Sequence, residues 1–213
     1  MENLVKELGI MNENLNSLND KNITELNLER TMLFIVDMNN GFAKQGKLYS
    51  ERIEKLINPI TELSEFLIKN GCKITAFTDC HDSESIELRS YPKHCLANDI
   101  ESEVVDEIKS IKGINIIPKN STNGFFCLED KNFKEIDDII IVGDCTDICI
   151  YQLAVTLKAY FNQYNIDKNI IVPIDLVDTY NINNIHNAEI MNIVFLNSMI
   201  QNGIQVVKKL VYK

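Results

Sequence analysis

Short, continuous apolar runs recur along the chain at residues 32–36, 72–78, 114–117, 139–142, 169–174 and 204–207, and they are rich in β-branched side chains. A half-exposed strand would alternate apolar with polar positions; an unbroken run predicts a strand covered on both faces. Between the runs, apolar residues fall three and four apart. Ile53, Leu56, Ile57, Ile60, Leu63, Leu67 and Ile68 mark one amphipathic helix. Ile148, Leu153, Val155, Leu157, Tyr160 and Phe161 mark a second, and Ile185, Ile190, Ile193, Val194, Leu196 and Ile200 a third. Strand–helix alternation of this kind specifies a mostly parallel, Rossmann-like sheet with helices on both faces, a three-layer α/β/α sandwich. Residues 1–28 carry Leu4, Val5, Leu8, Met11 and Leu15 at helical spacing. They read as an N-terminal helical extension to a single domain at 29–213, suited to packing on a neighbouring subunit of a homo-oligomer.

Composition narrows the partners. The 213 residues are 45% hydrophobic and 24% charged, which fits one globular domain. Lys and Arg total 21 against 31 Asp and Glu, a formal charge of -10 that repels phosphate backbones, so no nucleic-acid partner is expected. No apolar run is long enough to cross a bilayer, and the opening residues lack the apolar core of a secretory signal. A cytoplasmic protein without a membrane partner is expected. Cys72, Cys80, Cys95, Cys127, Cys145 and Cys149 then read as free thiols rather than a disulfide framework, and no C-x-x-C pair suggests a zinc ribbon.

Ligands of open α/β sheets sit beyond the carboxyl ends of the strands, so chemistry should follow each apolar run. Asp37 ends the first, Asp79 and His81 follow the second, and Lys119 follows the third. Gly143-Asp144-Cys145-Thr146-Asp147-Ile148-Cys149 follows the fourth and opens a helix. With Thr146 or Asp147 as N-cap, Cys149 would stand near the positive end of that helix, where a thiol pKa falls. An isolated cysteine is more often a small buried hydrophobe. An aspartate at a strand end is often a cap, and a lysine in a loop is often merely solvated. Together at one rim, thiol, carboxylate and ammonium form a coherent unit for nucleophilic catalysis. Asp79-x-His81, with His94 thirteen positions later, also offers a mixed N/O donor set of the kind that holds a divalent metal, although Asp and His are common in solvated loops. His186, in a polar turn before the third helix, reads as a surface residue.

The stretch 33–42 (Leu-Phe-Ile-Val-Asp-Met-Asn-Asn-Gly-Phe), Pro118-Lys119 with Gly124-Phe125, and Gly143 through Cys149 resemble the isochorismatase-like cysteine hydrolases, nearest to the nicotinamidases, over about residues 31–207. The resemblance implies a catalytic triad of Asp37, Lys119 and Cys149. It also implies a non-prolyl cis peptide before Cys145, with backbone amides of Cys145 and Cys149 facing an oxyanion. Metal ligands would be Asp79, His81 and His94, joined in some members by Glu87, holding Zn²⁺, Fe²⁺ or Mn²⁺ with zinc first. Phe42 and Tyr91 would wall the pocket. The chain departs from the family at Gly41, Asp82, Tyr91 and Asn98-Asp99, around the expected pocket mouth. The implied reaction is hydrolysis of a small-molecule amide, nicotinamide to nicotinate and ammonia, through a thioester. Alternatives are a ureido or carbamoyl amidase, a metal-free vinyl-ether hydrolase, and a non-catalytic small-molecule binder.

Overall fold

The computed structural model describes residues 2–128 and 133–212. In chain order its elements are α1 (Glu2–Asn16), β1 (Lys21–Asn22), β2 (Thr31–Val36), α2 (Asn40–Ala43), α3 (Glu51–Glu54), α4 (Ile57–Lys69), β3 (Lys73–Asp79), α5 (Asp106–Lys109), β4 (Ile114–Lys119), β5 (Asp138–Asp144), α6 (Tyr151–Gln163), β6 (Asn169–Pro173), β7 (Val177–Asp178), α7 (Ala188–Gln201), β8 (Gln205–Val207) and β9 (Leu210–Val211). The main sheet runs β4-β3-β2-β5-β6-β8, with β7 added to the end of β5, and its pairings are all parallel. The expected parallel α/β sandwich is therefore present.

Its layers follow from side-chain alternation along buried strands. Leu33 and Ile35 of β2 face a core with Ile60, Leu63 and Leu67 of α4 and Ile108 of α5. Phe34 and Val36 face the opposite core, with Leu153, Leu157 and Phe161 of α6 and Leu196 and Met199 of α7. Each fully buried side chain of this size contributes about 1.5–3 kcal/mol of transfer free energy. Strand β4 lies at the edge of the sheet, and of its six residues only Lys119 is fully buried.

The N-terminal segment packs within the chain. Helix α1 lies on α7, where Asn197 donates to the Met11 carbonyl at 3.2 Å, and β1 pairs with β9. The apolar spacing that marks the third helix includes Ile185, but α7 begins three residues later and Ile185 is exposed.

From β2 the chain builds outward to β3 and β4, then returns to place β5, β6 and β8 on the other side. The reversal lies between β2 and β5, where the strand ends leave a crevice. Gly143 makes that junction close. Its φ is +114°, and a Cβ there would lie 2.0 Å from the Val36 carbonyl oxygen, one residue before Asp37. Both the left-handed backbone and the contact require glycine. Gly143→Ala should cost about 2–5 kcal/mol, combining strain and overpacking; chemical denaturation measures it, and a change under 1 kcal/mol contradicts the close approach.

Candidate active site

The carboxyl ends of four neighbouring strands supply the first groups. Asp37 follows β2 with φ 55°, a left-handed conformation that aspartate tolerates. Asp79 closes β3 and is in register with Lys119, which closes β4. Asp144 closes β5, joined to Cys145 by a cis peptide as the resemblance implies. Lys119 is 1% exposed and its ammonium sits between two carboxylates: Nζ is 2.9 Å from Asp37 Oδ2 and also bonds Asp79 Oδ1. The same Nζ lies 3.9 Å from Cys149 Sγ. Thiol, carboxylate and ammonium expected at one rim are thus assembled in space.

Their protonation follows from burial and charge. Burial first, then the charge of Asp79, raises the Asp37 pKa, and Lys119 and the Cys149 thiol pull it back only in part. A carboxylate so placed is a stronger base than one in water. Burial also disfavours the Asp79 anion, yet Lys119, His81 and His94 hold its pKa well below the usual range. For Lys119, burial is outweighed by Asp37 and Asp79, and the ammonium persists.

Cys149 departs from the expectation of a lowered pKa. Residues Thr146–Ile150 form a π-helical turn leading into α6, capped by Cys145 with no side-chain cap bond. The thiol is buried, and burial pushes its pKa well above the ordinary value, Lys119 notwithstanding. The resting group is a thiol that needs a base.

The second cluster is Asp79, His81 and His94, whose donor atoms lie within 4.8 Å of one another. Nε2 of each histidine lies 3.5 Å from Asp79 Oδ2. Their other nitrogens are fixed from outside: His94 Nδ1 donates to the Pro92 carbonyl at 2.7 Å, and His81 Nδ1 meets Asn120 Oδ1 at 3.2 Å. That anchoring turns Nε2 inward as a free donor, the usual outer support of a metal-ligating imidazole. His81 Nε2 is buried with no hydrogen-bond partner, an orphan that a cation would satisfy. Burial opposes a charge on His81, but Asp79, Asn120 and Glu87 raise its pKa nonetheless; a field that favours a proton there favours a metal ion. Glu87 Oε1 lies 4.0 Å from His81 Nε2, while Oε2 accepts from the Thr122 amide at 2.9 Å.

Cys149 of the first cluster and Asp79 and His94 of the second line one cavity of about 280 Å³, with Asp37, Lys119 and His81 behind them. Phe42 and Tyr91 line it and flank His94, with ring centroids 5.6 and 6.2 Å from the imidazole. Leu48, Ile53, Ile148, Tyr180 and Ile182 add to the apolar wall.

His186 is not a surface residue. It is 8% exposed, its Nδ1 bonds the Tyr180 carbonyl at 2.8 Å, and its Nε2 meets Asp147 Oδ2 at 2.7 Å. Its ring stacks on Tyr180 at 4.0 Å. A histidine 37 positions downstream of Cys149 therefore ties the Tyr180–Ile182 wall to the turn that carries the thiol. The sequence shows only a polar turn before a helix at this point, and that pattern does not report tertiary contact. His186→Ala should speed amide exchange across 179–187 at least about tenfold, since each lost buried bond is worth about 1 kcal/mol or more. Unchanged exchange would show that the loop is held elsewhere.

The Isochorismatase domain family matches residues 31–207. Nicotinamidase 1 of Arabidopsis thaliana is 29% identical over 143 residues, 58% of this chain and 58% of that protein, so the chain spans little more than half of that relative. N-carbamoylsarcosine amidase of Thermoplasma acidophilum shares the fold, with TM-score 0.69 and 24% identity, covering 84% of this chain and 95% of that one. So does the pyrazinamidase of Pyrococcus horikoshii, solved in complex with zinc, with TM-score 0.66 and 21% identity over 84% of this chain and 98% of that one. With the family match running from the first strand of the main sheet to its last, the chain belongs to the isochorismatase family.

Proposed function

We propose that this protein is a cysteine amidohydrolase acting on a small, uncharged aromatic carboxamide, with nicotinamide as the leading substrate. The observation that carries the reading is the linkage of Asp37, Lys119 and Cys149 to Asp79, His81 and His94 in one buried cluster whose Cys149, Asp79 and His94 line a cavity flanked by two aromatic rings. The likeness to a nicotinamidase supports it. Among the described residues no lysine or arginine lines the cavity, whereas Asp79, Glu87 and Asp144 do. An anionic ureido acid or carboxylated vinyl ether would meet these carboxyls with no described lysine or arginine side chain to receive it.

In this mechanism Asp37 takes the thiol proton as Cys149 Sγ attacks the carboxamide carbon. Backbone amides of Cys145 and Cys149 receive the oxyanion, and Lys119 balances the charge accumulating between thiol and carboxylate. When the intermediate collapses, the C–N bond breaks and Asp37 returns its proton to the departing ammonia. A thioester remains. Asp37 then removes a proton from water, which attacks the thioester, and the freed thiolate is reprotonated as the acid leaves.

Asp79, His81 and His94, with Glu87 beside them, are the residues that would hold a divalent ion, zinc first by the donor set. When bound, that ion supplies a Lewis-acid site for the heteroatom of an aromatic ring. Phe42 and Tyr91 clamp the ring, so the chain itself fixes how the carboxamide faces Cys149.

Cys149→Ala should reduce ammonia release from nicotinamide at least about a thousandfold with the fold intact, and Asp37→Asn at least about a hundredfold. A folded Cys149→Ala protein keeping a few per cent of turnover would remove the thiol from the mechanism. Chelation should lower turnover at least about a hundredfold through lost orientation, while Cys149 still reacts with iodoacetamide. His94→Ala should lower both bound zinc and turnover. Purified protein that takes up no stoichiometric metal would count against a nicotinamide-type substrate.

A further inference from the structure

Asp144 has no part in the proposed chemistry, yet it borders it. The residue is 1% exposed and lines the cavity. Its Oδ2 faces the Cys145 thiol at 3.6 Å, and its Oδ1 is buried without a hydrogen-bond partner. Among the described side chains with such an orphaned atom, Asp144 alone lines the cavity. Native interiors rarely leave a carboxyl oxygen unpaired, and this one belongs to a side chain in the wall of a cavity, where an entering ligand can supply the missing partner.

The surroundings define the match. Lys119 is engaged by Asp37 and Asp79, and among the described residues no lysine or arginine lines the cavity. A buried carboxyl without a cation keeps its proton. Burial, then the charges of Asp37 and Asp79, accordingly raises the Asp144 pKa well above the usual range. An uncharged carboxyl presents a donor and an acceptor side by side. Its complement is an N–H beside a C=O, as in an amide, lactam or ureide.

We propose that Asp144 is a specificity-determining residue that reads a donor–acceptor edge of the substrate distinct from the scissile carboxamide, favouring neutral small amides that carry a second amide-like group. The inference rests on the amidase reading only in calling the ligand a substrate.

Calorimetry tests it on zinc-loaded protein carrying Cys149→Ala, which prevents turnover. The ligands are pyridine-3,5-dicarboxamide and 5-acetylnicotinamide, which keeps the shape and acceptor but lacks the second N–H. The expected result is at least about a tenfold preference for the dicarboxamide (about 1.4 kcal/mol). Asp144→Asn, whose amide offers the same edge, should retain the preference, and Asp144→Leu should abolish it. Asp144→Ala gives the same comparison if the leucine variant does not fold. Equal affinities with Asp144 present, or a preference that survives its truncation, would overturn the proposal. So would an equal weakening of both ligands, the signature of a carboxyl that only packs or holds a buried water. Ammonia release from the dicarboxamide by the unsubstituted enzyme is a separate readout: its absence, with the Asp144-dependent preference intact, counts against the amidase reading alone.

Discussion

The buried ammonium of Lys119 is the constraint around which this site is organised. A charge 1% exposed to solvent is tolerated only with excellent pairing, and Lys119 has it from Asp37 on one side and Asp79 on the other. Those carboxylates sit at the ends of β2 and β3, and the lysine ends β4. Three strand ends must therefore stay in register for the charge to be stable. Removing one partner of such a buried pair typically costs about 3–5 kcal/mol, so the site and the sheet are energetically one unit. Asp79 extends the unit, turning one oxygen to Lys119 and the other to both histidines.

That shared carboxylate links the two halves of the proposed mechanism. Lys119 holds Asp79 ionised, which keeps a hard anionic donor beside His81 and His94. Lys119 also bonds Asp37 without fully lowering its pKa, because burial and the Asp79 charge outweigh the bond. The same arrangement leaves the resting Cys149 protonated. In the proposed mechanism the nucleophile therefore forms only when Asp37 takes the thiol proton, and an idle thiolate is not exposed to oxidation or metal capture.

Much of this was legible in the sequence because parallel sheets are simple devices. Continuous apolar runs fix buried strands, and the rule that chemistry lies beyond their carboxyl ends brings Asp37, Asp79, Lys119 and Cys149 together across more than a hundred positions. The aromatic walls and Glu87 needed the family resemblance, since Phe42 and Tyr91 have no local signature separating a pocket wall from core. Three features escaped. The Cys149 thiol titrates by burial, which outweighs its place near a helix start. His186 looks solvated because its neighbours in sequence are polar, while its partners Asp147 and Tyr180 are brought to it by folding. Asp144 ends an apolar strand just as Asp37 does, and only three-dimensional pairing shows that Asp37 has a cation and that Asp144 has none among the described residues.

The central claim is that Cys149 carries the acyl group between two half-reactions, and acid quenching on the millisecond scale with intact-mass measurement tests it most directly. The account predicts a protein species heavier by one nicotinoyl group during turnover of nicotinamide, with the modified peptide containing Cys149 and the adduct labile to hydroxylamine. Ammonia released at full rate with no covalent species, or an adduct on any other residue, would contradict it.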